Sequence, residues 1–335
     1  MKITICGGGS LGHVCAGVFA SQRDVDVNIF TQQPNRWNKE ITTIDNEGKI
    51  YSGKLNIVSS DPNLCIKGSD IVFLCLPGFA IERVLREIKP YLSEDTIVGS
   101  IVSSTGFFFK AHEIFGFDNT KLFGFQRVPY IARTKEYGSS AYLLGYKKEL
   151  AIATYNIDDV CKFKDDVAKL FLTPTKLLNN YYEASLTNSN PILHTGRLFT
   201  MWHNWCGEEY DHNILFYKEW TEEASQMIID MDAEFMALLE KLPVDKSLIP
   251  RLLDYYESSD ATSLTKKISS IEAFQTITSP MIKSEGGWVP DFSSRYFTED
   301  FPHGLKYIVD LAKQNNVSIP IIDKVYEWGI SKMNI

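Results

Sequence analysis

The segment KITICGGGSLGHVCAGVFASQRDVDVNIFT, residues 2 to 31, decides the fold of this chain. A short apolar strand runs directly into a glycine-rich turn, an apolar helix follows, and residues 25–31 alternate as a second strand. Gly7, Gly9 and Gly12 occupy a G-x-G-x-x-G fingerprint, which allows a tight turn, close backbone approach to a pyrophosphate, and close packing of helix on strand. The segment predicts the first β-α-β unit of a Rossmann domain that holds a nicotinamide dinucleotide.

The residues around this turn indicate which dinucleotide is bound. The helix that follows the glycines starts at Ser10 and Leu11, where free N–H groups are expected to bind phosphate. The second strand ends at Thr31, where an NAD site usually has an acidic residue for the ribose. The next positions bring Arg36 and no acid before Glu40. Hydroxyl, amide and guanidinium groups therefore favour NADP over NAD.

Strands and helices alternate through the first half of the chain. Residues 69–77 and 96–103 are apolar runs typical of buried parallel strands, residues 81–92 have an amphipathic helical pattern, and later strands are expected within 121–133 and 139–154. The pattern predicts a doubly wound α/β sheet. Pro77 closes the first run at its carboxyl end, so its backbone either lines the nicotinamide side of the site or forms a plain turn.

From about residue 160 longer helical periods with aromatic, Leu and Met positions replace this pattern. The clearest helix lies within residues 221–243, where Thr221 can cap and Pro243 ends the pattern. Its apolar stripe predicts packing in a core: Ala224, Met227, Ile228, Met231, Phe235, Leu238 and Leu239. We expect a dinucleotide-binding Rossmann domain over residues 1–160, a mainly helical domain over residues 161–335, and a ligand cleft between them.

Length and composition limit the class of protein. The 335 residues exceed the roughly 250 to 300 at which a single core stops growing, and 44% hydrophobic with 23% charged residues is typical of a globular chain. The formal charge of −8 repels a phosphate backbone, so nucleic acid is not an expected partner. With no apolar run of about 18 residues and no leader pattern, we expect no membrane and a cytoplasmic location.

The cysteines and one aromatic segment leave further expectations. Six cysteines without a C-x-x-C pair are expected to be reduced core residues. The segment MWHNWCGEEY, residues 201–210, is expected to expose aromatic side chains that serve either a homodimer face or the substrate cleft.

Hydride transfer to a carbonyl or imine needs a proton donor near the reacting carbon, and histidine suits this task at neutral pH. His194 stands four positions after Asn190, which places both on one helix face, although Asn190 before Pro191 also fits a helix cap. A second cluster within residues 294–305 fits a charged turn equally well: Arg295, Glu299, Asp300 and His303. Spacing alone leaves both alternatives open.

The remaining histidines favour structural roles. His13 follows the last fingerprint glycine and is expected to pack against the cofactor helix. The other three stand alone among polar or aromatic neighbours and are expected in structural or surface positions: His112, His203 and His212.

The chain resembles the opine dehydrogenase family, which includes the octopine and nopaline dehydrogenases, almost from end to end. The matching segments are GGGSLG with TQQPNRW, DIVFLCLPGFA, FQRVPYIARTKEYGSSAYLLGYKKELAIAT, NPILHTG and RYFTEDFPHGLKYIVDLAKQNNVSIPIID. The resemblance implies an N-terminal Rossmann domain, an all-α C-terminal domain like that of 6-phosphogluconate dehydrogenase, and substrates in the cleft. It further implies reductive joining of an amino acid to a 2-oxo acid, for which the residues after the second strand favour NADP as cofactor, with NAD as the alternative.

The same resemblance implies roles for individual residues. His194 matches the family's catalytic histidine, Asp300 the carboxylate paired with it, and Asn190 the asparagine one turn earlier. Arg295 matches an arginine that holds a substrate carboxylate with its planar guanidinium. In this arrangement Asp300 fixes the imidazole tautomer and favours its protonated form, while His194 exchanges a proton with the substrate.

The chain departs from the family pattern in VPYIAR. Tyr130 and Ala132 stand where family members often carry Trp and Cys, so the choice of substrate does not follow from the resemblance. Tyr130 and Arg133 are candidate substrate-binding residues, with a packing role as the equal alternative. No metal ion is expected.

Two other functions fit parts of the sequence. A ketopantoate or 2-hydroxy acid reductase shares the two-domain plan but usually places a lysine near the reacting oxygen, and Lys176 and Lys218 are the nearest lysines to His194. A non-catalytic NADP-binding sensor needs neither His194 nor Asp300. The presence of both residues favours an enzyme of the opine type.

Overall fold

The structure is a computed structural model that describes residues 1–117 and 120–333. Its strands in these ranges, β1 to β14, are Lys2–Cys6, Asp26–Phe30, Glu40–Asp45, Ile50–Lys54, Ile57–Ser59, Ile71–Leu74, Ile97–Ser100, Lys121–Phe125, Tyr130–Glu136, Ser140–Tyr146, Leu150–Tyr155, Thr175–Leu177, Met281–Lys283 and Trp288–Pro290.

The α-helices of the same ranges, α1 to α13, are Ser10–Ala20, Pro62–Cys65, Gly78–Ile88, Phe107–Phe115, Val160–Phe171, Tyr181–Ser185, Asn190–Trp202, Glu222–Leu239, Leu252–Tyr255, Ala261–Ser270, Arg295–Thr298, Lys306–Gln314 and Pro320–Met333. Short 3-10 turns occur at Pro34–Arg36, Lys89–Tyr91, Ser103–Thr105, Lys246–Leu248 and Glu272–Phe274, and a π-helical turn at Phe301–Leu305.

The main sheet of the first half has the strand order β12-β11-β8-β7-β6-β1-β2-β5. Its pairings are parallel except for β11 against β8. Residues 3–6 of the central strand β1 are fully buried, which explains their unbroken run of apolar and small side chains. The predicted combination of a doubly wound sheet and a helical C-terminal part is confirmed.

A second sheet of four strands, β4-β3-β10-β9, packs on the outer side of α1. The Thr43 hydroxyl of β3 donates to the Val14 carbonyl, and a Cβ at Gly17 would lie 2.3 Å from Thr43 Oγ1. Since α1 is covered by both sheets, its residues 12–19 are all buried. The sequence predicted β9 and β10 but not their separation from the main sheet, nor β3 and β4.

The chain divides into two compact units, Met1–Leu186 and a second that starts at Thr187. The composition change had placed the boundary after residue 160, but α5 leads into β12, which pairs in parallel with β11 at the edge of the main sheet. The division into a dinucleotide-binding part, residues 1–160, and a substrate-binding part, residues 161–335, remains a proposal.

The second unit consists of α7 to α13 with the hairpin β13–β14. Its longest helix, α8, is capped as predicted, since Thr221 Oγ1 accepts a hydrogen bond from the Ala224 N–H at 3.2 Å. The predicted stripe faces the core, with Met227 half-buried and its other members buried. None of the described helices combines the length and apolar composition needed to cross a membrane.

Two expectations about side-chain burial are wrong in part. Cys6, Cys15 and Cys65 are buried as expected, but Cys161 and Cys206 are exposed, and all six thiols are free. Within residues 201–210, Trp202 is fully buried and stacks with Phe297, so this segment does not present a face of exposed aromatic rings. The amphipathic period of α7 continues through Trp202 and turns the indole inward.

Candidate active site

His194 lies on α7, in the second unit. Pro191 occupies the first turn of this helix, where its missing N–H is not needed, and Asn190 is the first helical residue rather than the cap. Asn190 and His194 are one turn apart on the same face of α7. Residues 191–199 are all buried, so the surrounding packing fixes the position of His194.

An irregular helical turn brings Asp300 to this position. The chain passes from α11 through Asp300 into the π-helical turn, where the Leu305 N–H donates to the Asp300 carbonyl at 2.7 Å. π-Helical turns are rare and frequently occur at functional sites. The cluster therefore spans α11, a two-residue turn at Glu299 and Asp300, and the π-helical turn, so the charged turn that the sequence allowed lies between two helical segments.

Gly304 sets how closely this turn approaches α7. A Cβ at Gly304 would lie 2.7 Å from Pro191 Cγ, closer than two carbon atoms can pack, so any larger residue would push the turn away. The contact lies one turn of α7 before His194. Gly304 thus allows Asp300 to reach the imidazole.

His194 and Asp300 form a direct hydrogen bond, with His194 Nδ1 2.7 Å from Asp300 Oδ2. The His194 side chain is 10% exposed and the Asp300 side chain 17%, so the pair is largely shielded from water. Because an ionised carboxylate accepts but does not donate, it assigns a proton to Nδ1. In the neutral imidazole, the lone pair is then on Nε2.

Tyr217 occupies the other side of the ring, with its hydroxyl 2.8 Å from His194 Nε2. Burial raises the pKa of Tyr217, followed by smaller effects of Tyr296 and other nearby acidic groups, so the hydroxyl keeps its proton at neutral pH. It can donate to a neutral Nε2 or accept from a protonated one. Asp300, His194 and Tyr217 thus form one hydrogen-bonded chain.

Arg197, one turn after His194 on α7, holds the loop that carries Tyr217. Its guanidinium donates to the Glu219 carbonyl at 2.6 Å and to the Thr221 hydroxyl at 3.2 Å. The side chain is 3% exposed, and burial lowers its pKa to about 10. Neither Tyr217 nor Arg197 could be predicted from local sequence, because the FYKEW segment carries no motif and the loop position of Tyr217 has no periodic signal.

Arg295, the candidate for the substrate carboxylate, starts α11 and is 80% exposed. Its guanidinium lies 4.0 Å from Oε1 of the largely buried Glu299, which is too long for a hydrogen bond. The guanidinium is therefore accessible to a carboxylate ligand. His303, the fourth member of the cluster, lies within the π-helical turn.

The glycine loop fits a dinucleotide pyrophosphate. Gly7 has a φ of +119°, and a Cβ there would lie 2.5 Å from the Cys75 carbonyl oxygen. A Cβ at Gly12 would lie 2.5 Å from the Gly7 oxygen, whereas the Cβ position of Gly9 is open, with nothing within 4 Å. Helix α1 then begins without a side-chain cap, so its first N–H groups stay available for an anion.

A cavity of about 200 Å³ adjoins this loop and extends beyond β2. Thr31, Gln33 and Arg83 contribute to its lining, and Arg36 donates to Gln33 Oε1 at 2.7 Å. Arg83 comes from α3 and adds a cationic group that lies far from the fingerprint in sequence. Among the described residues that line it, the cavity wall thus combines hydroxyl, amide and guanidinium groups with no acidic side chain, and Arg83 also pairs with Glu87 at 2.9 Å.

Three other predicted cofactor residues lie at the ends of helices. Ser10 and Leu11 form the first turn of α1, and the Ser10 hydroxyl is engaged with Thr134 of β9 at 3.1 Å, so its N–H rather than its hydroxyl is available for phosphate. Pro77 precedes α3 in an extended conformation. Its neighbour Leu76 lines the cavity, which leaves the role of Pro77 a proposal.

The two candidate substrate residues of VPYIAR differ in accessibility. Tyr130 is 2% exposed and its hydroxyl donates to the Phe171 carbonyl at 2.8 Å, which supports the packing alternative. Arg133 is exposed on β9, opposite Tyr142 of β10. Of the two, Arg133 remains a candidate for ligand contact.

A Rossmann unit with an open glycine loop and a helical unit with a buried histidine–carboxylate pair define a nicotinamide-dependent dehydrogenase. Residues 177–333 match the family model of the NAD/NADP octopine/nopaline dehydrogenase alpha-helical domain, and residues 3–106 match that of ketopantoate reductase PanE/ApbA. The helical half of the chain thus matches the octopine/nopaline dehydrogenase family, and the comparisons support an oxidoreductase of the opine dehydrogenase type that acts on CH–NH donors with NAD or NADP.

Curated relatives are similar in sequence to this chain over nearly its full length. Tauropine dehydrogenase of Arabella iricolor is 29% identical over 98% of this chain and 90% of its own, and octopine dehydrogenase of Pecten maximus 27% identical over 99% and 90%. A solved octopine dehydrogenase with NADH and L-arginine superposes with a TM-score of 0.86 at 26% identity, covering 100% of this chain and 90% of that one. Yersinopine dehydrogenase with NADP⁺ shares the fold, with a TM-score of 0.74 at 13% identity over 100% of this chain and 91% of its own.

Proposed function

We propose that this opine-type dehydrogenase uses NADPH to condense the amino group of an amino acid with a small 2-oxo acid, and catalyses the reverse oxidation. The observation that carries the proposal is the 2.7 Å contact between His194 and Asp300 in the unit that matches the family's helical domain. A buried imidazole held by a carboxylate is suited to exchange a proton during catalysis.

The reaction combines a condensation with a reduction. The amine nitrogen attacks the carbonyl carbon of the oxo acid, water leaves, and an imine results. Reduction of that imine needs a hydride at carbon and a proton at nitrogen, and gives a secondary amine dicarboxylate. The bound nicotinamide supplies the hydride.

We assign the proton exchange to His194 Nε2, with Tyr217 as its hydrogen-bonded neighbour. Removal of a hydroxyl as water and protonation of nitrogen both require an acid, while the reverse direction requires a base, so an imidazole serves both. Asp300 keeps the second ring proton on Nδ1 and stabilises the imidazolium when it forms.

The carboxylates of both substrates call for cationic or amide partners. Arg295 is exposed and offers a planar fork for a carboxylate, and Asn190 adds an amide one turn before His194. Solved structures of octopine dehydrogenase contain, with NADH, L-arginine, pyruvate or agmatine. We propose the same classes, a small amino acid and a small 2-oxo acid, for this chain.

The preference for NADPH over NADH rests on the groups around Thr31. A 2′-phosphate carries negative charge that Arg36 and Arg83 can neutralise, and Gln33 and Thr31 offer neutral hydrogen bonds. An acidic residue, which would bind the 2′-hydroxyl of NADH and repel the phosphate, is absent from the described lining of this cavity.

A ketopantoate-type reductase is the second candidate, because its family model matches residues 3–106. That match covers the dinucleotide-binding part, whereas the helical unit matches the octopine/nopaline type.

We also propose a cytoplasmic location, where the six free thiols would stay reduced. Fractionation of the producing cells checks this location.

The direct test combines purified protein with NADPH, pyruvate, 2-oxobutyrate or oxaloacetate, and each amino acid in turn. Loss of NADPH absorbance that requires both substrates, together with mass detection of the secondary amine, supports the proposal. NADPH oxidation with an oxo acid alone, without an amino acid, indicates the hydroxy acid reductase instead. If no substrate pair gives either reaction, both candidate functions are contradicted.

A further inference from the structure

The turn between β9 and β10 is bound to the glycine loop through His13. Gly138 N–H donates to His13 Nε2 at 2.7 Å, and His13 Nδ1 lies 2.9 Å from the Gly9 carbonyl. An accepting Nε2 requires a neutral ring with its proton on Nδ1, which then donates to Gly9. His13 is fully buried, and burial lowers its pKa, which favours the neutral form.

The same turn is bound to the segment that carries Arg36. The Asn38 N–H donates to the Gly138 carbonyl at 2.9 Å, and Gly138 has a φ of +75°. A Cβ on Gly138 would lie 1.9 Å from the Arg36 carbonyl oxygen, so only glycine lets the two backbones approach this closely. The turn therefore has a fixed position relative to both Gly9 and Arg36.

Tyr137, next to Gly138, projects from this turn into the cofactor cavity that it helps to line. Its hydroxyl lies 2.5 Å from the position that a Cβ on Gly8 would take, so it borders the middle of the glycine loop. The Arg36 guanidinium carbon lies 4.2 Å from the centre of the Tyr137 ring. The ring also packs edge-on against His13, with the ring centres 5.0 Å apart.

We propose that Tyr137 is a positioning residue for cofactor choice, whose ring holds the Arg36 guanidinium over the cavity so that it meets a 2′-phosphate. This inference rests on the proposed use of NADPH and assigns that selectivity to a residue of the second sheet. His13 and Gly138 keep the tyrosine in place.

The physical need for such a residue follows from the exposure of Arg36. An exposed arginine samples many rotamers, and freezing them on binding costs free energy. The face of an aromatic ring attracts a guanidinium and restricts it to one plane. With Gln33 bonded to one side of the group and Tyr137 beneath it, Arg36 is oriented before the cofactor arrives.

Calorimetric titration with NADP⁺ and NAD⁺ tests the proposal without measuring turnover. Tyr137→Leu removes the ring and is expected to weaken NADP⁺ binding about 2- to 5-fold more than NAD⁺ binding, the range of an exposed cation–π contact. Tyr137→Phe retains the ring and removes the hydroxyl that borders Gly8. It should preserve the ratio of the two dissociation constants.

Tyr142→Leu is the matched control, because Tyr142 lies on the same sheet with Lys135 5.4 Å from its ring centre. Its titrations should equal those of the wild type. An unchanged ratio in Tyr137→Leu, or an equal loss of ratio in Tyr137→Phe, would overturn the proposal. If the wild type binds NAD⁺ more tightly than NADP⁺, the proposed NADPH preference fails. The role of Tyr137 is tested separately, by whether the ratio of the two dissociation constants changes between the wild type and Tyr137→Leu.

Discussion

His194 Nδ1 lies 2.7 Å from Asp300 Oδ2, although 106 positions of the chain separate the two residues. Two features make this contact possible: the rigid first turns of α7 and the π-helical turn that follows Asp300. The contact leaves Nε2 as the ring atom for proton exchange, with the Tyr217 hydroxyl bound to it. Activity should therefore depend on each end of this chain of hydrogen bonds.

Tyr217→Phe removes the hydroxyl bound to Nε2 and leaves the packed ring. Because Nε2 then lacks its buried partner, we expect kcat to fall about tenfold, within the roughly 1–3 kcal/mol that an unsatisfied buried group costs, while KM for NADPH stays unchanged. Steady-state kinetics measure both values. Tyr255→Phe, at an exposed tyrosine of the same unit, is the control; a wild-type kcat in Tyr217→Phe would exclude a role for the hydroxyl.

Gly304→Ala places a methyl group against Pro191 and should push the π-helical turn away from α7. We expect a loss of roughly 1–3 kcal/mol in the free energy of unfolding, the usual cost of overpacking, together with a lower kcat. Urea denaturation measures the first effect. Adding Pro191→Ala should recover part of the loss because it makes room for the methyl group; strictly additive effects would show that the two residues do not clash.

Arg36→Ala should change the preference for the cofactor. Removing a charge-assisted contact with the 2′-phosphate is expected to lower kcat/KM for NADPH about 10- to 100-fold and to leave kcat/KM for NADH nearly unchanged. Arg86→Ala, at an exposed arginine on α3 that pairs with Glu82, is the control. Equal losses with both cofactors would contradict a contact between Arg36 and the phosphate.

His112 should make stability depend on pH. Its ring is 5% exposed, stacks on Phe117 with the centres 4.2 Å apart, and also contacts Tyr155 and Tyr181; burial lowers its pKa. Below a pH of about 6.5 the unfolded chain takes up a proton that the folded chain resists, so stability falls as the pH decreases. Above that pH the effect is absent.

Replacing His112 by Phe removes this proton uptake. The free energy of unfolding of His112→Phe, measured by urea denaturation between pH 5 and pH 8, should therefore fall less at the acidic end than that of the wild type. Parallel curves for the two proteins would show that His112 does not contribute.

Local patterns predicted the elements that local physics determines. The fingerprint predicted the glycine loop, and the stripe after Thr221 predicted α8, because each is specified within a few residues. By contrast, β3 and β4 were not predicted. Strand β3 is stabilised by pairing with β10 and with β4, and both strands pack on α1, which are contacts that local sequence does not reveal.

The candidate site shows the same limit. Spacing suggested His194 and a cluster at residues 295–303, but the resemblance to a family was needed to pair His194 with Asp300. Tyr217 and Tyr137 act through contacts between segments distant in sequence, to which no local pattern points. Gly304 is the one local signal of this contact that the sequence offers, because a glycine within a helical segment often marks a position where two backbones approach closely.

The rate of opine formation from NADPH, a 2-oxo acid and an amino acid, in wild type, His194→Gln, Asp300→Asn and the double variant, tests the central claim most directly. His203→Gln, on the same stretch of chain after α7, is the control. We predict that each single variant loses about 10²- to 10⁴-fold in kcat and that the double variant loses little more, because the two residues act as one unit. A kcat within a few-fold of wild type for His194→Gln, with the protein folded and NADPH bound, would contradict it.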